Sequence, residues 1–370
     1  LQTPSLIFRR MLSARFLRHC IFCAYAARQA LIKRNVNHKT KITFYGGTGE
    51  VTGSNFLIET GTQKILVDCG FFQGCNTCEV RTRDAFPYDP ASIEYLFVTH
   101  PHLDHVGRIP KLVKDGFRGV IYSTPPTKDL SVLALTDGLQ ILREEAKQDG
   151  KPLLYKEADV EKTAALWKTV PYHEKISLAD DVSVLLKDAG HVLGSSMVLF
   201  SRGDKKIVFT GDLGNSPAPL LRDTESIEGT HFLVMESVYG DHTHESRDER
   251  REILEDVIED VSSQKGTLLI PAFSIERTQE LLFEIERMME THKIPPMSVF
   301  IDSPLAIQVM EVYKKYEEYF NKETKYIVQS GNELFSFKQL RLTRNVEESK
   351  KIFDAPNPKI IIAGSGMSMG

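Results

Sequence analysis

From Lys41 onward the chain sets short apolar runs between glycine-rich or polar turns. Lys41-Ile42-Thr43-Phe44-Tyr45-Gly46, Asn55-Phe56-Leu57-Ile58-Glu59 and Lys64-Ile65-Leu66-Val67-Asp68 have strand length and spacing, and predict three consecutive strands. A buried strand is predicted from Tyr95 to His100, and three more at Val182 to Leu186, Met197 to Ser201 and Lys206 to Thr210. Residues 127 to 149 and 157 to 169 are helical in composition. Strands, then helices, then strands predict two facing sheets with helices outside, an αββα sandwich.

Past Gly240 the period changes. Arg250 to Ser263 carries Ile253, Leu254, Val257, Ile258 and Val261 at helical spacing, and Thr267 to Pro271 reads as a strand. Ser274 is placed to cap a helix containing Leu281, Leu282, Ile285 and Met289. A strand at Ser298 to Ile301, a helix at Pro304 to Phe320 and an apolar strand at Lys359 to Ala363 complete an alternation typical of a parallel α/β domain. At 370 residues about two domains are expected. The pattern divides the chain into a basic leader at 1–38 outside the fold, a sandwich domain at 39–240 and an α/β domain at 241–370.

Charge sharpens that division. Nine of the 46 Lys and Arg residues fall in the first 49 positions, which hold no Asp or Glu, leaving 37 basic against 50 acidic residues in the remainder. A body that acidic has no broad basic face, so contact with a nucleic acid must run through a local groove and metal ions. Met11-Leu12-Ser13-Ala14-Arg15-Phe16-Leu17-Arg18 has the arginine-rich, acid-free character of an organellar transit peptide, the alternative being upstream sequence with no part in the fold. A cytoplasmic location is expected otherwise. The best membrane candidate, Cys20 to Ala27, is far short of the roughly 18 residues a span requires, so no membrane association is expected. Cysteines fall as Cys20-x-x-Cys23, Cys69 and Cys75-x-x-Cys78. The odd count favours reduced thiols in a reducing compartment over a secreted disulfide framework, and a four-cysteine zinc site is the lesser alternative.

The chemistry is concentrated in Phe97-Val98-Thr99-His100-Pro101-His102-Leu103-Asp104-His105-Val106-Gly107. Along an extended backbone residues two apart share a side, so His100 and His102 can hold one ion together. Asp104 and His105, reached as the chain turns, would face a second. Imidazole with carboxylate suits zinc, although manganese or iron could be held too. Further ligands must come from other strand ends: His191 in Gly190-His191-Val192-Leu193-Gly194, and Asp212 in Thr210-Gly211-Asp212-Leu213-Gly214, whose carboxylate can bridge two ions. Gly46-Gly47-Thr48-Gly49-Glu50-Val51-Thr52-Gly53 lacks the Gly-Lys-Ser/Thr ending of a phosphate loop and reads as a turn leaving room for a neighbouring site.

Asp68, Thr99-His100-Pro101-His102-Leu103-Asp104-His105, Gly190-His191 and Gly211-Asp212, in this order, resemble the successive metal motifs of the metallo-β-lactamase superfamily. Met235-Glu236-Ser237-Val238-Tyr239-Gly240-Asp241 is similar to the acidic motif that opens its β-CASP branch, the nucleases of RNA processing and DNA repair. Residues 270 to 281, Asp302-Ser303-Pro304-Leu305-Ala306 and Gly364-Ser365-Gly366-Met367-Ser368-Met369-Gly370 are similar to stretches of the RNA-cleaving members.

The resemblance implies one zinc on His100, His102 and His191, a second on Asp104 and His105, and Asp212 as the bridge. Glu236 would sit beside the site and orient a catalytic histidine, so that Asp104, Asp212 and Glu236 carry the catalytic roles. In the family that histidine, and a later one ligating the second zinc, follow the Ser-Gly-Met stretch, and this sequence stops at Gly370. The expectation is two zinc ions in a complete enzyme, one held tightly here, and a fragment inactive by itself.

The implied reaction is hydrolysis of phosphodiester bonds in single-stranded RNA. A homodimer or a place in an RNA-processing complex fits such a protein, and endonucleolytic is not separated from 5′-exonucleolytic action. Two other readings share the His100 to His105 cluster: a hydrolase of a small thioester or ester, and a noncatalytic scaffold paralogue. His242 and His244 read as solvated or substrate-side histidines.

Overall fold

Side chains alternate between buried and half-buried along Val182–Asp188, as a strand lying between a packed face and a wetter one requires. That alternation and its counterparts build the computed structural model, which describes residues 30 to 32, 39 to 75 and 77 to 364. The leader cysteines Cys20 and Cys23, the segment at Met11 and the terminal stretch from Ser365 lie outside the described residues.

The first sheet contains β1 (Ala30–Ile32), β2 (Thr40–Gly46), β3 (Asn55–Glu59), β4 (Lys64–Val67), β5 (Tyr95–Phe97), β6 (Val120–Ser123) and β7 (Trp167–Thr169), paired in that order. Its early pairs are antiparallel, and β4 through β7 are parallel. The helices α1 (Cys78–Arg83), α2 (Leu103–Val106), α3 (Ile109–Lys114), α4 (Pro125–Asp149) and α5 (Glu157–Ala165) fall within the same part of the chain. The second sheet joins β8 (Ile176–Ser177), β9 (Val182–Asp188), β10 (Ser196–Arg202), β11 (Lys205–Phe209) and β12 (Phe232–Val234), in the order β12-β11-β10-β9-β8.

Phe56, Ile58, Ile65, Val67 and Phe97 of the first sheet meet Val184, Leu186, Val198, Phe200 and Phe209 of the second in one apolar layer. Leu66, Leu96 and Ile121 on the other face of the first sheet pack against Ile109, Leu112, Leu135 and Val160 of the helices. This is the sandwich expected from the pattern. On the outer face of the second sheet, Met197, Leu199 and Val208 are covered by Leu213 and Ile227.

The α/β part follows with α6 (Arg247–Ser263), β13 (Thr267–Pro271), α7 (Arg277–Glu290), β14 (Ser298–Asp302), α8 (Pro304–Lys315), α9 (Lys322–Gln329), β15 (Leu340–Leu342), α10 (Val346–Lys351) and β16 (Lys359–Ala363). Its four strands are all parallel, in the order β13-β16-β14-β15. A single apolar cluster joins this part to the sandwich, since Leu130, Val192, Leu193, Leu220 and Leu221 pack with Phe283, Tyr313 and Phe320.

Several local expectations are corrected. The helix predicted over residues 157 to 169 ends at Ala165, and the backbone of Trp167–Thr169 pairs in parallel with β6 as an edge strand, where Trp167 Nε1 also donates to Ser123 Oγ at 2.8 Å. Regular pairing of the strand predicted to His100 stops at Phe97, which frees the next residues to turn. The helix predicted to Phe320 ends at Lys315. Ser274 does not cap α7: Glu276, with φ of 72°, holds the N-cap position, and Ser274 Oγ lies 3.0 Å from Ser303 Oγ. Residues 30 to 32 pair with β2, so the sheet reaches into the stretch assigned to a leader. Cys75 and Cys78 are joined by a disulfide, so neither is the reduced thiol expected, and neither offers a thiolate to a metal. Cys69 is the free, buried cysteine among the described residues, and burial pushes its thiol up to about 12.

Candidate metal centre

Each candidate ligand stands just beyond a strand end, where the backbone turns away from the sheet. After β5 the chain keeps one sheet-like bond, Val98 N–H to Tyr122 O at 2.9 Å, and then carries Thr99, His100 and His102 into the four-residue helix α2. His191 follows β9, and Asp212 follows β11. Tight backbone packing fixes these turns. A Cβ at Gly70 would lie 1.5 Å from the Asp104 carbonyl oxygen, and one at Gly211, whose φ is +56°, would lie 2.7 Å from the Thr99 side chain. Backbone bonds tie the same loops: Cys69 N–H donates to His105 O at 2.7 Å, Phe71 N–H to Leu103 O at 2.8 Å and Ser54 N–H to Asp104 O at 3.0 Å.

Of the residues singled out in the sequence, His100, His102, His191 and Asp212 converge, with one ligand atom from each lying within 4.8 Å of the others. The two Asp212 oxygens divide their neighbours. Oδ2 lies 3.7 Å from Nε2 of both His100 and His191, whereas Oδ1 lies 3.3 Å from His105 Nε2. His105 Nε2 is also 3.7 Å from Asp104 Oδ2. One carboxylate therefore stands between two groups of donors.

Asp68 is the residue whose part the sequence left undescribed. It is fully buried at the end of β4 with φ of 57°, and its Oδ2 lies 2.7 Å from His105 Nδ1. Thr99 donates to the same carboxylate through its N–H and its hydroxyl, both at 2.8 Å. Asp68 thus engages the far nitrogen of His105 and leaves Nε2 facing inward. The available signal was an aspartate ending an otherwise apolar strand.

Glu236 is beside the centre, but its carboxylate is taken by backbone donors: Oε1 accepts from Leu213 N–H at 3.4 Å and Oε2 from Val238 N–H at 3.0 Å. It secures the turn that carries Asp212. His242 and His244 are exposed and stand apart from the group.

The electrostatics fit a cation. Nε2 of His100, His102 and His105 is buried without a hydrogen-bond partner. Burial, followed by the neighbouring His105, holds His100 well below the usual imidazole range, and burial also lowers His102. Burial and then His102 push His191 down to about 3. These three rings are neutral at pH 7 and keep a lone pair for a metal. Burial acts downward on His105 as well, but Asp104, Asp68 and Asp212 outweigh it and hold that ring well above its ordinary value. For Asp212 the balance is opposite: burial opposes ionisation, and His100 and His105 overcome it. Orphaned buried nitrogens around an ionised carboxylate are costly when unpaired and suited to a divalent ion.

A two-sheet sandwich with a histidine and aspartate centre at its strand ends defines a metal-dependent hydrolase fold. Residues 48 to 262 match the model described as the metallo-beta-lactamase superfamily, and residues 278 to 370 match that of the Beta-Casp domain. The chain belongs to the metallo-beta-lactamase superfamily and carries a Beta-Casp domain. It is 35% identical over 331 residues to Ribonuclease TTHA0252 of Thermus thermophilus, covering 89% of this chain and 74% of that protein. Transcription termination factor FttA of Methanosarcina mazei is 32% identical over 341 residues, covering 89% of this chain and 52% of the relative. The FttA of Methanocaldococcus jannaschii is 30% identical over 337 residues with the same coverages. The chain spans about half the length of these termination factors.

Proposed function

We propose that this chain forms the metal-holding and RNA-contacting part of a zinc-dependent ribonuclease that hydrolyses phosphodiester bonds in single-stranded RNA. The observation that carries the reading is the split environment of Asp212, with His100 and His191 near one oxygen and His105 near the other. His100, His102, His191 and Asp212 would hold one ion, and Asp104, His105 and Asp212 a second. Zinc is favoured over manganese or iron because three of the first four donors are imidazoles. When bound, such ions supply Lewis acidity toward water and toward phosphoryl oxygens.

The chain's own residues contribute the rest. Asp68 fixes the orientation of His105, Glu236 secures the Asp212 turn through Leu213, and Asp104 and Asp212 place negative charge where the cations belong. The relatives named as a ribonuclease and as transcription termination factors support a nucleic-acid role over that of a small-ester hydrolase. No described helix is long and apolar enough to cross a membrane. The proposal places the protein in the cytoplasm, or in an organelle if residues 11 to 18 act as a transit peptide.

The test compares the protein as encoded with its His102→Ala variant on a labelled unstructured oligoribonucleotide and on a small thioester, each with added zinc. Cleavage of the RNA by the wild type, lost in the variant, is expected. Turnover of the thioester with the RNA left intact would overturn the proposal.

A further inference from the structure

Three exposed rings follow Glu236 by only a few positions. Tyr239 and His244 have centroids 4.4 Å apart, Tyr239 and His242 5.4 Å, and His242 and His244 5.3 Å, all in edge-to-face orientations. Tyr239 is 58% exposed, and both histidines are exposed. Among the described residues the group is left exposed and forms no second metal site. The converging donors among the described residues are those of the centre already described, and His242 Nδ1 is engaged with Asp241 at 2.7 Å.

The next element, α6, begins at Arg247, just after His244 in the chain, and carries Arg250 and Arg251. Arg247 donates twice to Glu284, at 2.8 and 3.1 Å, and Arg251 Nε stands 3.8 Å from the other oxygen of that carboxylate. Arg277 pairs with Glu280 at 2.7 Å. Arg250 lies near Glu280, whose carboxyl burial holds above its ordinary value, and the Nε atoms of Arg250 and Arg251 are buried without a hydrogen-bond partner. Arg247, Arg251 and Arg277 thus pair with Glu284 and Glu280, and Arg250 stands beside them at the start of a helix that also carries Asp248, Glu249 and Glu252. These arginines and the aromatic group both reach the metal centre: Arg277 acts on His191, and Glu236 joins the Asp212 turn to Val238, next to Tyr239.

We propose that the aromatic group of Tyr239, His242 and His244, with the arginines at the start of α6, receives the single-stranded RNA that flanks the bond placed at the metal centre. This rests on the ribonuclease reading and adds where the strand runs. Unstacked bases find π-faces on exposed aromatic rings, and guanidinium groups take the phosphates between them. Such a strip is indifferent to sequence, because every base has a face to stack and every linkage a phosphate.

The experiment measures fluorescence anisotropy of a labelled unstructured oligoribonucleotide with the protein as encoded, in chelator, across a salt series. Tyr239→Ala should weaken binding about tenfold with an unchanged salt slope, and Tyr239→Phe should restore it. Arg250→Gln should reduce the slope by about one. Because Tyr239 is exposed, its variants should melt with the wild type. Wild-type affinity and slope in both Tyr239→Ala and Arg250→Gln, in a protein that binds and cleaves RNA, would overturn the strip and leave the ribonuclease reading standing. Absence of RNA binding by the wild type in chelator would overturn the strip, and absence of both binding and cleavage with added zinc would overturn both.

Discussion

The Nδ1 atom of His105 lies 2.7 Å from Oδ2 of Asp68, across 37 positions of sequence and between two parallel strands of the first sheet. An outer carboxylate on a ligand imidazole fixes its orientation and raises its basicity, and losing such a partner typically costs about 10- to 100-fold in metal affinity. Asp68→Asn should lower affinity for the second zinc, the one at Asp104, His105 and Asp212, by that factor while preserving the fold, since asparagine also accepts the left-handed backbone found there. Competition against a chromogenic chelator measures it. Unchanged affinity would return Asp68 to a structural role.

Asp212 and Asp223 offer a contrast between two carboxylates near the same turn. Asp212 faces three imidazoles, whereas Asp223 accepts only a bond from Ala218 N–H at 3.2 Å at an exposed position. In the full-length protein Asp212→Ala should abolish RNA cleavage and Asp223→Ala should leave the rate within about twofold, consistent with the small effect of most surface substitutions. Equal, mild losses in initial rate would remove Asp212 from the centre.

Zinc content separates the two groups of donors. Elemental analysis after dialysis should give nearer one zinc than two per chain, held by His100, His102, His191 and Asp212, because among the described residues these four converge on one point. His191→Ala should release that ion. A folded wild-type protein without zinc would contradict the assignment.

Gly70 leaves no space for a side chain, with the Asp104 carbonyl oxygen 1.5 Å from where its Cβ would lie. Gly70→Ala must displace the backbone that carries Asp104 and His105. A loss of about 3 kcal/mol is expected, or a Tm lower by about 6 to 12 °C, together with weaker zinc retention. Calorimetry and metal analysis on the same sample test both parts.

Glu276 is buried in the core joining the two parts of the chain and accepts a hydrogen bond from Tyr313. Burial first, then Glu280, holds its carboxyl well above the ordinary value of 4.5. The native state therefore keeps a proton that the unfolded chain releases. Its contribution to stability is complete below that ordinary value and is lost as pH rises toward the raised native value. Glu276→Gln cannot titrate, so its Tm relative to wild type should climb between about pH 4 and pH 8. A constant difference across that range would show that Glu276 is ionised in the fold.

The order of most strands and helices, the sandwich and the parallel α/β unit could be read from the sequence, and so could the candidate donors His100, His102, His191 and Asp212, which the fold brings together. Each rests on local information: alternation within a strand, helical period, and donors placed just after apolar runs. Short edge strands such as Trp167–Thr169 and Phe232–Val234 could not, because a three-residue strand is defined by its neighbour and carries little pattern of its own. The cap of α7 was misread for a similar reason, since Ser274 finds Ser303 across the sheet before it can reach its own helix. The sequence by itself determined which side chains could hold a metal. Only the tertiary structure decided that Asp68 engages His105, that Glu236 spends its carboxylate on two backbone amides, and that Asp212 separates two sets of donors. Asp68 meets His105 because β4 and β5 are neighbours in the first sheet, and Asp212 meets His100 and His105 because the two sheets pack with those strand ends together.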